Sequence, residues 1–279
     1  MSAIATLPVR QKKAKKTLRR VSALPPKVVG KPSTEALFEE WLQQFGPLPK
    51  ELWPKVDHLI TEDDTPVENF YSEKQGKFGT SALYDAGEPF GAGRKFIAVS
   101  DVALYNSPDE PPQVPDIMVS LDVELAEDIW EKGHRSYMIW LFGKPPEVVI
   151  EIVSNKVGNE DTVRKQRYEQ MRVAYYVIYD PGQHLSKVLL RVYELRATEY
   201  VLRRDHWLPG IGLGLTLWRG VYEDREDQWL RWQNKDGNLL LTGSERAEQE
   251  SQRAEQEHQR AELLAAKLRE MGIDPTTLY

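Results

Sequence analysis

The sequence predicts an α/β (α+β) fold, a mixed β-sheet flanked by helices, with a long helix at the C-terminus. Three observations predict it. Val148-Val149-Ile150-Glu151-Ile152-Val153 is an apolar, β-branched run with the composition of a buried strand. Asn159 to Arg172 is polar, charged and free of breakers, and reads as a helix. Ala174-Tyr175-Tyr176-Val177-Ile178-Tyr179 is a second strand, closed by Asp180-Pro181-Gly182 as a turn. Strand, helix and strand in that order make a βαβ-like unit within a mixed sheet.

The other elements follow along the chain. Residues 1–32 hold nine of the 37 basic residues and none of the 43 acidic ones, and have the composition of a disordered basic arm. The rest is strongly acidic, so its overall field does not favour nucleic acid, and DNA contact needs a local basic surface or the arm. Ser33 and Thr34 cap a helix expected from Glu35 to Phe45, stopped by Gly46-Pro47. A short helix is expected near Ser72-Glu73-Lys74-Gln75, weakened by Gly76 and Gly79. Phe96 to Val99 and Val114 to Val123 read as strands, followed by an irregular stretch containing Trp130, Trp140 and Phe142. Val188 to Leu195 and Tyr200 to Leu202 form a hairpin after the second strand of the βαβ unit.

At Ser244 the composition changes. Arg246 to Gln252 and Arg253 to Gln259 repeat one seven-residue unit with a single substitution, and a third copy turns apolar at Leu263, Leu264 and Leu268. A period of seven predicts a long helical coil, 244–279, solvated along most of its length and able to pair two chains through its Leu-rich end. Gly272 and Pro275 end it.

Composition excludes several chemistries. There are no cysteines, which removes disulfides, thiolate metal sites and a Cys nucleophile and suits a reducing cytoplasm. No apolar run reaches the ~18 residues of a membrane span, so no membrane partner is expected. No apolar segment follows the basic N-terminus as in a secretory signal. The five histidines are scattered without ligand spacing. Gly210-Ile211-Gly212-Leu213-Gly214 lacks the Lys-Ser/Thr of a phosphate loop. Trp229-Leu230-Arg231-Trp232 offers rings that stack on bases or pack a terminal hairpin, and packing is the expected use.

Two carboxylates remain. On a strand Val149, Glu151 and Val153 point to one face and Val148, Ile150 and Ile152 to the other, so neither face lets Glu151 reach water. A carboxylate buried there must be protonated, paired with a cation or bound to a metal. Asp116 follows Pro115 at the start of another apolar segment, where by itself it reads as a turn residue satisfying a nearby backbone amide. Brought together, two carboxylates form a hard-oxygen site for Mg²⁺ or Mn²⁺, with positions left for water and phosphate.

Val114-Pro115-Asp116, the strand Val149 to Ser154, Lys165 and Tyr168, and Ala174 to Pro181, in that order, resemble the Uma-two family of bacterial endonucleases within the PD-(D/E)XK superfamily. The resemblance covers roughly residues 67–220. It implies a restriction endonuclease-like core for residues 33–243 and a cytoplasmic, Mg²⁺-dependent enzyme hydrolysing DNA phosphodiester bonds. Asp116, Glu151 and the main-chain carbonyl of Ile152 would hold the metal. The wider superfamily carries a lysine two residues after the glutamate, where this chain has Val153. The resemblance moves that role to Lys165 on the following helix, with Lys156 as its rival. Glu73 would be the acidic residue of the first helix, although an exposed helix-start Glu is the expected use; Ser154 would orient a ligand or simply end the strand; and Tyr168 would pack its ring with the hydroxyl toward the site. A homodimer would present two sites to a duplex. The competing expectation is a catalytically inactive nuclease fold that binds DNA or assembles partners, motivated by Val153, the acidic body and the heptad tail.

Overall fold

The computed structural model describes residues 48, 50–55, 69–154 and 159–272. The basic arm, the helix expected over Glu35–Phe45 and Lys156 lie outside the described residues. After a 3₁₀ turn at Lys50–Leu52, the first helix, α1, spans Phe70–Asp85. Strands β1 (Phe96–Val99), β2 (Leu104–Tyr105) and β3 (Ile117–Leu121) follow. A 3₁₀ turn at Lys132–His134 precedes β4 (Tyr137–Met138) and a single helical turn, α2 (Ile139–Phe142). The βαβ unit is β5 (Val148–Ile152), α3 (Val163–Gln170) and β6 (Tyr175–Tyr179). Then come β7 (Leu190–Arg196), β8 (Glu199–Leu202), β9 (Trp207–Leu208), β10 (Leu213–Tyr222), β11 (Arg225–Gln233) and the long helix α4 (Gly243–Glu270).

The main sheet has six strands in the order β1-β3-β5-β6-β7-β8. Its only parallel pair among the described residues is β5 with β6, joined by α3, as the βαβ pattern predicts. β9, β10 and β11 form a second, antiparallel sheet, and β2 pairs with β4. The alternation of β5 divides the core in two. Val148, Ile150 and Ile152 join the cluster closed by α1 and the second sheet. Val149 and Val153 join the one that α3 covers with Tyr168 and Met171. Every residue of β3, β5 and β6 is buried, so these strands are apolar on both faces rather than alternating.

The first helix is longer than its glycines suggest. Asn69 caps it, its side chain accepting from the Tyr71 and Ser72 amides at 2.9 and 3.0 Å, and it runs through Gly76 and Gly79 for 16 residues. The glycines serve packing. A Cβ on Gly79 would stand 2.6 Å from the Ile117 Cδ1, and one on Gly76 would stand 3.2 Å from the Ser100 Cβ and 3.6 Å from the Asp116 carbonyl. Trp232 donates its ring N–H to the Gly79 carbonyl at 2.9 Å from the opposite side. Gly79→Ala is therefore expected to destabilise by about 1 kcal/mol, overpacking against Ile117 outweighing the gain in helix propensity. A thermal melt reads the sign, and a raised melting temperature would mean that Ile117 yields without strain.

Buried polar groups tie the second sheet and the tail to the core. Gln75, with no exposed surface, both accepts from the Leu230 amide at 2.8 Å and donates to its carbonyl at 2.9 Å. Arg231 lies between the Phe78 and Trp218 rings and donates to Glu245 at 2.6 and 2.7 Å. Glu245 also closes a capping box with Thr242. Beyond that anchor α4 runs for about 40 Å with its Glu/Arg/Gln heptads exposed, as expected of a solvated helix, and Leu263 and Leu264 exposed near its end. No helix of the described residues is long and apolar enough to cross a membrane. Trp229 and Trp232 are buried in β11, so they pack the core and are not presented for stacking.

Candidate metal centre at the β3–β5 edge

Glu151 is 1% exposed and stands on the α3-covered face of the sheet, between Val149 and Val153. Helix α3 supplies its partners. Arg164 Nη1 lies 2.5 Å from Oε2, and the Tyr168 hydroxyl donates to Oε1 at 2.7 Å. Residues four apart on a helix share a face, which is why both reach one carboxylate. Burial pushes the Glu151 pKa up from 4.5 to about 7, an effect that Arg164 and Tyr168 only partly offset and the Glu160 charge adds to. Burial works against the charge on Arg164 as well, yet attraction to Glu151 outweighs it and its pKa is raised. Burial and the Glu151 charge push the Tyr168 hydroxyl well up, so it stays a donor.

Asp116 comes from the neighbouring strand. In the β3–β5 ladder Ile117 opposes Ile150 and Met118 opposes Val149. The ladder ends at that first pair, and Asp116 is the residue just before it, so its register, if continued, would bring Asp116 beside Glu151. The Asp116 Oδ2 accepts the Ile152 amide at 2.5 Å. That bond has the form expected of a carboxylate satisfying a backbone amide, here one on the next strand. Because the Val153 amide donates to Tyr179 on β6, alternation turns the Ile152 N–H and C=O toward β3. The Ile152 carbonyl therefore shares an edge with Asp116.

The other sequence-predicted residues sit on α3, just past β5 and on α1. The Lys165 ammonium stands 4.2 Å from the centre of the Tyr193 ring on β7. Ser154 is exposed just beyond β5. Glu73 is exposed in the first turn of α1, one turn before the glycine that packs at the Asp116 carbonyl.

Two residues escaped the sequence reading. Arg164 and Lys165 straddle the Tyr168 row of α3, and either is able to face the glutamate until the helix's setting on the sheet is known. That setting sends Arg164 to β5 and Lys165 to β7. Glu160 is 8% exposed; its carbonyl accepts the Tyr176 hydroxyl at 2.6 Å and its Oε2 has no hydrogen-bond partner. Nothing in the spacing of Glu160 separated it from a solvated acid.

Among the described residues no group of three or more His, Cys, Asp or Glu side chains is arranged to hold a metal ion. The nearest candidate donors, two carboxylates and a carbonyl on adjacent segments, are all hard oxygens. That is a partial set of the kind Mg²⁺ accepts when water and phosphate complete its shell. The donor chemistry fits a divalent ion.

Comparison with known proteins bears on the whole region. The model of the Uma2 family, described as "Putative restriction endonuclease", matches residues 66–217. Neither a curated protein nor a solved structure matches the chain. The match spans more than half of the sequence and takes in α1, Asp116, Glu151, α3 and both sheets up to the middle of β10, so the chain belongs to the Uma2 family.

Proposed function

We propose that this chain is a divalent-metal-dependent endonuclease that hydrolyses DNA phosphodiester bonds, with Asp116, Glu151 and the Ile152 carbonyl holding Mg²⁺ or Mn²⁺. The observation that carries the reading is the buried Glu151 with the Asp116 carboxylate bonded to the next amide of the same strand. When bound, the metal supplies neutralisation of phosphate charge and acidification of water. The chain's own residues do the rest. The Ile152 amide fixes the Asp116 carboxylate, and Tyr168 fixes that of Glu151. Arg164, with 42% of its side chain exposed, is the cation at the site and suits a phosphate oxygen through its planar fork. The family resemblance assigns that role to Lys165, one position along the same helix. Separate Arg164→Gln and Lys165→Gln variants distinguish them, the larger loss of kcat marking the group that acts.

Supercoiled plasmid and single-stranded DNA, each incubated with Mg²⁺, Mn²⁺ or EDTA, test the proposal, with RNA as a parallel substrate. Nicking that needs metal and is lost in Asp116→Asn supports it; no nicking under any metal overturns it. A second reading, a nuclease fold that binds DNA without cutting it, is favoured by the engagement of both Glu151 oxygens by protein groups. An unchanged melting temperature in millimolar Mg²⁺ with DNA still bound would select it, since ligand binding stabilises the folded state by linkage.

A further inference from the structure

On the same face of the sheet as Glu151, a cavity of about 460 Å³ opens over β1 and β3. Its volume falls in the range of small-molecule sites, roughly 300–1,000 Å³. Its floor includes Val99 and Met118, paired across the β1–β3 ladder. Met118 is two residues from Asp116 on one strand face, a separation of about 7 Å. Tyr137 and Phe142, stacked at 4.2 Å, form one wall, and Trp130, 77% exposed, stands at the mouth. The loop carrying Trp130 is pinned, its amide bonded to Asp128 Oδ1 at 2.8 Å and its carbonyl to Arg135 at 3.0 Å.

His134, Arg135 and Ser136 interrupt this apolar lining. Ser136 lines the cavity, is 4% exposed, and its hydroxyl has no hydrogen-bond partner. A buried hydroxyl without a protein partner costs stability unless a water or a ligand group completes it. Aromatic walls with the polar groups of His134, Arg135 and Ser136 among them suit a flat heterocycle with polar edges. Resting on the nuclease reading, we propose that this cavity receives a nucleobase of the substrate strand, unstacked beside the scissile phosphate. Trp130 stacks on the base and Ser136 bonds to its edge. The enzyme then acts on single-stranded or locally opened DNA, because a base held in a duplex stack does not reach the cavity.

The test uses the full chain in EDTA, where nothing is cleaved. Titrate it with deoxyadenosine monophosphate, with base-less 2-deoxyribose 5-phosphate and with indole, reading binding by ligand-detected NMR. The mononucleotide is expected to bind at least about tenfold more tightly than either control. Trp130→Ala should weaken it about tenfold and Ser136→Ala about fivefold, with melting temperatures unchanged or, for Ser136→Ala, raised. Equal binding of the base-less phosphate, or of indole, overturns the proposal, as does unaltered mononucleotide affinity in both variants. Plasmid cleavage is read separately. Metal-dependent cleavage with no base binding removes the base pocket and spares the nuclease, whereas base binding without cleavage removes the nuclease and spares the pocket.

Discussion

Glu151→Gln is expected to lower DNA cleavage by more than about a hundredfold, since losing even a partner of a metal ligand costs 10–100-fold. The protein should remain folded at pH 8. Glutamine keeps the shape, the amide oxygen still accepts from Tyr168 or Arg164, and the neutral group escapes the burial that raises the carboxylate's pKa. Single-turnover cleavage and urea denaturation, run side by side, separate the two effects. Cleavage within a fewfold of wild type would remove Glu151 from the chemistry.

Arg164→Met should be the most damaging single change to stability at the site. It leaves the Glu151 carboxylate, 1% exposed, with Tyr168 as its remaining bonded partner. Breaking a buried pair costs about 3–5 kcal/mol, and the exposure of Arg164 brings the expectation down to about 2–3 kcal/mol at pH 8. The loss depends on pH. A carboxyl whose folded pKa, about 7, lies above its unfolded value of 4.5 stabilises fully below the unfolded value and loses that contribution as pH rises through the folded one. Wild type therefore weakens between about pH 4.5 and 7. The variant, with Glu151 shifted higher still, goes on weakening above that window. Urea melts in EDTA should show a small difference between the two proteins at pH 5 and a large one at pH 8. Equal differences at both values would mean that Arg164 does not act through Glu151.

What the sequence carried best was the centre of the fold. The β-branched run around Glu151 and the aromatic run at Tyr175–Tyr179 are dictated by burial on both faces, and a polar segment between them has to cross over as a helix. The alternation that placed Val149, Glu151 and Val153 on one face needs only the strand itself. Helix α1 was legible in type but not in extent, because Gly76 and Gly79 read as weakness until the strand behind them is known. Gln75 and Arg231 gave no signal, since polar residues buried by bonds to distant strands resemble surface ones in a list of letters. The nearness of Asp116 to β5 was carried by the resemblance rather than by spacing, as register between segments 35 residues apart is a tertiary property. Arg164 gave no signal for the same kind of reason, because a helix's rotation on its sheet is set by packing.

The central claim is that Asp116 and Glu151 hold one divalent ion. A crystal grown with Mn²⁺ and measured for anomalous scattering tests it most directly. The account predicts a peak within coordination distance, about 2.0–2.6 Å, of both carboxylates and the Ile152 carbonyl, with Arg164 drawn off at least one Glu151 oxygen. A chain that binds Mn²⁺ elsewhere, or none, with Arg164 and Tyr168 still bonded to Glu151, would contradict it.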